Sequence, residues 1–350
     1  MRYIRPTASA AHFLMLRSDS LTLRFGFFMR RSRLSLRTFA LLAGLAALGA
    51  GPACVENSSP GGGGSGGAAG GGGEGGTVLP GPVPITIANW NVRNLFNDVD
   101  DSTAEFEEID PNWPTRRGHV GVVLRALDAD VVALQEVENQ AVLESLDEVE
   151  LDDRYPYVAI TQGNDPRGIN IGFLSKLPID KVVSHADEFF TKEGTTAPSY
   201  RFSRDAVELH LTINGRHVVL VGVHFKAKDN DDPDKRLAEA QQTRKIVDDL
   251  LAADPGAGIA VLGDFNDTPG SPPVDAVLGQ GPTLLAATDA VPISDRWTYQ
   301  FSGKRELVDH HLANPLLAER ANPDAARIIH GPEQQTASDH SPVLIGYDLN

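Results

Sequence analysis

From Val83 onward the chain alternates short apolar runs of β type with longer amphipathic stretches, and several of the apolar runs end on a polar residue. This alternation limits the fold more than any other feature. Ile85 to Val92 alternates in the two-residue period of a strand. Val120, Val123, Leu124 and Leu127 recur at helical spacing, with Arg116, Arg117 and Arg125 largely off that face. Val131 to Leu134, Ile169 to Leu174 and Ile259 to Leu262 are buried strands. Val207 to Ile213 and Val218 to Val223 flank Asn214-Gly215, a strong hairpin signal. Lys235 to Ala253 is a polar-faced helix, and Leu307 to Leu312 and Pro342 to Leu349 are further strands. Helices interleaved with strands, one pair of them a hairpin, predict a mixed α/β sandwich over residues 83–350.

The preceding 82 residues are of another kind. Residues 1–53 hold eight arginines, no lysine and one acid, Asp19, a balance of +7 within a total of −16. A basic stretch at Met29 to Arg33 precedes an apolar run from Thr38 to Gly51. That run is shorter than the roughly 20 residues needed to span a bilayer, and small residues follow it. This order is that of a secretory signal peptide, with Met29 as the expected translation start. Leu48 to Cys54 is similar to a bacterial lipoprotein processing site, although Gly51 and Pro52 depart from the pattern. Cys54 is the chain's one cysteine, so no intrachain disulfide forms. Acylation at Cys54 and simple secretion are the two readings, and both predict export. Asn57 to Gly76 is almost entirely Gly, Ser and Ala. A tract of this kind buries too little apolar surface to order itself, so residues 54–82 are expected to form a tether or a leader without a role.

Five motifs carry the chemistry: Asn89-Trp90-Asn91-Val92, Leu134-Gln135-Glu136-Val137, Val223-His224-Phe225-Lys226, Gly263-Asp264-Phe265-Asn266 and Ser338-Asp339-His340. Each puts a carboxylate, carboxamide or imidazole at or near a strand end. Asp264 and Asn266, two apart, are placed to hold a water or an oxyanion between them. Glu136 suits a hard divalent cation such as Mg²⁺. His340 needs a carboxylate from elsewhere, because its neighbour Asp339 faces the other way on an extended chain; Asp309 is the candidate. His224 offers a second imidazole. Taken singly, each is as easily a turn, a cap or a structural histidine. Taken together, they are equipment for metal-assisted hydrolysis of a phosphate ester.

The set resembles the endonuclease/exonuclease/phosphatase superfamily from Ile85 to the C-terminus. The resemblance implies a four-layer α/β sandwich, with two mixed β-sheets face to face and helices outside. It implies Glu136 as the main Mg²⁺ ligand, Asp339 as a second, and Asn91 touching metal-bound phosphate. Mn²⁺ is the expected substitute. It implies Asp264 and Asn266 as the pair that aligns water and binds the scissile phosphate, His340 as the catalytic histidine and Asp309 as its orienting carboxylate. His224 matches a histidine of the deoxyribonuclease and sphingomyelinase branches, suited to protonating a leaving oxygen. Arg204 resembles a phosphate-side arginine, with Arg201 competing for the role.

The expected activity is that of an exported nuclease cleaving DNA or RNA by in-line water attack. The residues Lys226, Lys228, Lys235, Arg236, Arg244 and Lys245 could track a nucleic-acid backbone, or form a solvated face among Asp229 to Asp234. The balance of −23 beyond residue 53 disfavours tight, sequence-independent nucleic-acid binding. The alternatives are a sphingomyelinase-like lipid phosphodiesterase, with Phe189-Phe190 as the best docking candidate, a phosphomonoesterase, and a non-catalytic surface lipoprotein.

Overall fold

The computed structural model describes residues 82–100, 105–106, 108–281 and 283–349. The signal-like segment, Cys54 and the Gly/Ser tract lie outside the described residues. Among the described residues, fourteen strands and six α-helices follow one another. The first half runs β1 (Val83–Leu95), α1 (Trp113–Leu127), β2 (Val131–Val137), α2 (Gln140–Glu150), β3 (Tyr157–Thr161), β4 (Asn170–Ser175), β5 (Lys181–Ser184), β6 (Ala206–Ile213) and β7 (Arg216–His224). The second runs α3 (Pro233–Ala253), β8 (Gly258–Asp264), α4 (Pro272–Leu278), β9 (Leu285–Ala286), β10 (Tyr299–Phe301), β11 (Lys304–Glu306), β12 (Asp309–Ala313), α5 (Pro315–Ala318), β13 (Ala321–Ile328), α6 (Pro332–Ala337) and β14 (Val343–Leu349).

The strands form two six-stranded sheets, ordered β13-β14-β1-β2-β4-β3 and β5-β6-β7-β8-β12-β9, with β10-β11 a separate hairpin. Both sheets are mixed: β1 pairs parallel with β2 and β7 parallel with β8, and the other pairings are antiparallel. Side-chain alternation then decides the layers. On β1, Ile85 and Ile87 join Leu209, Leu220 and Leu262 of the other sheet in the core between the sheets. Ala88, Trp90 and Val92 turn the other way, onto Val120, Val123 and Leu124 of α1 and Leu143 and Leu146 of α2. On the far side Val219, Val221 and Val261 pack against Ile246 and Val247 of α3 and Val274 and Val277 of α4. The result is the expected four-layer sandwich. The close approach of the sheets needs Gly222, since a Cβ there would stand 2.8 Å from the Phe173 ring.

The helices start where local chemistry allows. Asn139 accepts a hydrogen bond from Val142 N at the head of α2, and Asp232 accepts one from Lys235 N ahead of Pro233 in α3. Asn214 and Gly215 both adopt positive φ, so the predicted hairpin turn is present. One boundary differs from expectation. Asp309 opens β12 instead of closing an apolar run, because the Val308 and Asp309 amides both donate to Thr298 Oγ1 and fix the chain there.

Candidate active site

The topology gathers the motif residues on one rim. β1 and β2 end there together, as do β7 and β8, because each pair is parallel. β12 runs antiparallel to β8, so its first residue, Asp309, pairs with the last of β8, Asp264. His340 precedes β14, which runs antiparallel to β1. Asn91, Glu136, Arg204, His224, Asp264, Asn266, Asp339 and His340 all line one cleft of about 790 Å³. Asp309 stands directly behind, fully buried.

Glu136 reaches the rim through a bulge. Gln135 faces the inter-sheet core, so strict alternation would send Glu136 toward the helices. The register of β2 shifts between Gln135 and Val137 against both neighbours, and Glu136 takes φ of 67°. Its Oε1 then accepts from Asn91 Nδ2 at 3.1 Å, and its Oε2 from the Asn94 amide at 2.7 Å. Asn91 Nδ2 also donates to Asp264 Oδ2 at 3.0 Å, so one carboxamide joins a carboxylate of each sheet. Asp264 Oδ1 accepts from the Asn266 amide at 2.8 Å, while Asn266 Nδ2 donates to the Phe225 carbonyl. Asn266 sits at φ of 52°, in a tight turn that leaves Asp264 Oδ2 as the oxygen facing the other site groups.

Two imidazoles approach that oxygen. His224 Nε2 lies 3.5 Å from it and 3.9 Å from Glu136 Oε1. His340 Nε2 lies 3.9 Å from it, and His340 Nδ1 donates to Asp309 Oδ2 at 2.8 Å. The C-terminal motif is tied to β1: Ser338 Oγ donates to the Asn91 carbonyl, and Trp90 Nε1 to the His340 carbonyl. Arg116 of α1 donates to the carbonyls of Ala337, Val92 and Arg93, clamping the same two segments together.

Burial and charge separate the titratable groups. Burial drives the Asp264 carboxyl up, the Asp309 carboxylate pushes it further, and it reaches about 7. Burial alone would lower His340, but the Asp309 and Asp264 carboxylates outweigh it and raise the imidazole to about 10. His224 is held well below its ordinary value, first by burial and then by the charges of Arg204 and His340, so it is neutral.

The cations sort clearly. Arg204 lines the cleft but is buried and engaged, 3.0 Å from Asp165 Oδ2 and donating to the Phe225 carbonyl. Arg201 is turned elsewhere, onto Asp187 and the Phe189 ring. Arg236, Arg244 and Lys245 are each paired with an aspartate; Lys245 is exposed, as a solvated face would have it, whereas Arg236 is buried between Asp231 and Asp267. Lys226, Lys228 and Lys235 do line the cleft, though Lys226 Nζ donates to the Ala227 and Asp229 carbonyls and Lys228 pairs with Asp267. Sequence reasoning passed over Arg93 and Arg167, which also line it, and Thr298, which anchors Asp309. It also passed over Tyr299, whose ring lies 4.9 Å from that of His340. Arg93 directly follows a recognised motif and could have been found. Thr298 and Tyr299 belong to no local pattern. Phe190 is buried in the outer core and Phe189 is exposed, so this pair is only half available as a docking element.

The donors fit a hard divalent cation. Glu136, Asp264 and Asp339 line the same cleft as the Asn91 carboxamide, all oxygen donors of the kind such an ion takes, and Asp339 Oδ1 lies 3.9 Å from Arg93 Nε. Asp264, Asp309 and His340 also bring one ligand atom each within 4.8 Å of one another. In that second group Asp309 and His340 are already hydrogen-bonded to each other, so the Glu136 side suits an oxygen-seeking ion better.

Residues 86–314 match the model of the Endonuclease/Exonuclease/phosphatase family. The chain belongs to this family. Its members hydrolyse phosphate esters with a divalent metal ion, and this protein is a hydrolase of that kind. The match ends before Ser338-Asp339-His340, which the fold brings back beside Asp309. No curated protein matches the sequence. Among solved structures, truncated TDP2 from Caenorhabditis elegans superposes with a TM-score of 0.52 at 16% identity, over 76% of this chain and 97% of that one. A family protein from Bacteroides thetaiotaomicron gives 0.54 at 17% identity, over 77% and 99%. D. rerio TDP2 complexed with single strand DNA product gives 0.51 at 18% identity, over 76% and 99%. At these identities the likeness is one of fold.

Proposed function

We propose that this protein is a divalent-cation-dependent nuclease that hydrolyses phosphodiester bonds of DNA or RNA by in-line attack of water. The observation that carries this reading is the single cleft in which Asn91 joins Glu136 to Asp264 while His340, backed by Asp309, faces the same Asp264 oxygen. Glu136 and Asp339 would hold Mg²⁺ or Mn²⁺, with Asn91 beside them. An ion held there would supply Lewis-acid neutralisation of phosphoryl and leaving-group charge. Asp264 Oδ2 accepts the proton of the attacking water, its raised basicity serving that step. His340, held as imidazolium by Asp309, stabilises the negative charge gathering on the phosphoryl oxygens. Neutral His224 donates Nε2–H to a phosphoryl oxygen and does not act as a strong acid toward the leaving group. Arg204 supplies fixed positive charge at the cleft wall, held by its ion pair with Asp165 and its hydrogen bond to the Phe225 carbonyl.

Nucleic acid is favoured as substrate by a cleft lined in part by Arg93, Arg167, Lys226 and Lys228, and by the fold shared with a DNA-bound TDP2. A sphingomyelinase-like reading rests on the β10-β11 hairpin. Its Phe301 is 68% exposed, and Tyr299 at its base touches His340. A panel of plasmid DNA, single-stranded RNA, sphingomyelin vesicles and a small phosphomonoester, each with Mg²⁺ and with EDTA, separates these. Metal-dependent cleavage confined to the nucleic acids supports the proposal; turnover of the lipid or monoester alone overturns it. We further propose export through the residue 1–53 signal and acylation at Cys54. Labelled palmitate that enters the wild type but not a Cys54→Ser variant would support acylation, and secretion of unlabelled protein would refute it.

A further inference from the structure

The inward face of the two sheets changes character just below the active site. Along β1 the inward residues are Ile85, Ile87, Asn89 and Asn91; along β2 they are Val131, Ala133 and Gln135. On the opposing sheet β12 presents Asp309, His311 and Ala313, and β7 ends at His224 beside Asp264. The aliphatic core therefore gives way to carboxamides and an imidazole one step beneath the catalytic groups. Asn89, Gln135, Asp309 and His311 are fully buried and His224 nearly so. Yet seven of their polar atoms have no protein partner: both side-chain atoms of Asn89, both of Gln135, His224 Nδ1, Asp309 Oδ1 and His311 Nδ1.

Buried polar groups are almost always hydrogen-bonded, and each orphan is a net loss of stability. Seven gathered on the facing sides of two sheets is not a scatter of isolated defects. Pairing the two carboxamides with each other would still leave Asp309 Oδ1 and His224 Nδ1 unmet. A cation would suit the oxygens but not the NH₂ groups of Asn89 and Gln135. Only a species that both donates and accepts satisfies the set. Ala133, the register partner of Asn89, presents only a methyl group on this face.

We propose that a cluster of water molecules is bound between the sheets by Asn89, Gln135 and His311, and that it hydrogen-bonds Asp309 Oδ1 and His224 Nδ1 from behind the active site. Asn89 and Gln135 are then positioning residues. They act through water on the free oxygen of the carboxylate that orients His340, and this role does not depend on which phosphodiester is the substrate.

The test uses Gln135→Met and Asn89→Leu, which keep volume and remove the amides. If the amides were orphans, an apolar replacement would leave Tm unchanged or raise it. If they hold water against Asp309, Tm falls. In that case kcat on a small activated phosphodiester drops by about 10- to 100-fold with KM within about twofold, as for other outer-shell partners of a catalytic group. The deciding readout is the number of long-lived internal waters in the full-length protein, from ²H and ¹⁷O relaxation dispersion. Fewer in each variant than in the wild type supports the cluster, and an equal number overturns it whatever happens to Tm. Should the variants fail to fold, a high-resolution crystal structure of the wild type decides. Ordered water bridging Gln135 to Asp309 is the expected result. Amides bonded only to each other, with no water between the sheets, is the contrary one.

Discussion

At the scale of single residues, the site depends on which oxygen or nitrogen each group leaves free. Asp309 spends Oδ2 on His340 Nδ1, which fixes the ring and its charge. Asp309→Asn keeps the shape but loses the carboxylate, so kcat should fall by about 10²- to 10⁴-fold with KM little changed. Steady-state kinetics checks this, and an equal fall in affinity would speak against an orienting role. Glu136 makes two hydrogen bonds that orient it. Glu136→Gln should raise the Mg²⁺ concentration for half-maximal activity by about tenfold or more, read from a metal titration. The residues named from sequence were legible because each closes or adjoins a strand. The joint between them was not: nothing in Asn89-Trp90-Asn91-Val92 says that Asn91 will bridge Glu136 and Asp264 across two sheets.

At the scale of elements, two small devices deliver these groups. Gly263 sits at φ of 136°, where a Cβ would lie 2.0 Å from the Val223 carbonyl oxygen. Gly263→Ala should therefore break the β7-β8 ladder beside His224 and Asp264 and cost upward of about 3 kcal/mol, read by urea unfolding. The second device is remote from the site. Glu188, His185, Glu208, His210, His217 and Asp254 form a continuous hydrogen-bonded chain, and Gln242 of α3 closes it onto Glu188. Burial pushes Glu208 up, but the hydrogen bonds and charges of His185 and His210 outweigh it and hold its carboxyl at about 2. Burial likewise lowers His185, and Glu208 and Glu188 reverse this and raise it above its ordinary 6.5. The depressed Glu208 stabilises the fold above its unfolded value of 4.5 and stops doing so as pH falls toward 2. The raised His185 stabilises below 6.5 and stops doing so as pH climbs past its folded value. Glu208→Gln should thus cost most between these limits, on the order of 2–3 kcal/mol, with a smaller loss at either end. Thermal melts from pH 3 to 9 check it; a pH-independent loss would contradict the linkage. Long elements were readable from periodicity, as α1 and the β6-β7 hairpin show. The strands β9, β10 and β11 are two or three residues long, too short to express a period, whereas α2 was passed over although Val142, Leu143 and Leu146 keep helical spacing.

At the scale of the whole molecule, the mixed topology explains why five dispersed motifs meet. Parallel pairs at the centre of each sheet end on one rim, and antiparallel neighbours begin there. That arrangement follows from strand order, which no local window of sequence contains; the mixed α/β sandwich was legible in the alternation of strands and helices, and its four layers came from the resemblance of the motif set as a whole. The acidic body around a basic-edged cleft also predicts weak, salt-sensitive binding of nucleic acid. Apparent KM for plasmid should rise steeply between 50 and 200 mM salt, and a salt-independent KM would remove the cleft cations from recognition. The most direct test of the central claim is the nicking of supercoiled plasmid by the purified protein in Mg²⁺, beside a His340→Ala variant and an EDTA control. The account predicts nicking that requires the metal and falls by at least about 10³-fold in the variant. A folded protein that binds Mg²⁺ and leaves the plasmid intact would contradict it.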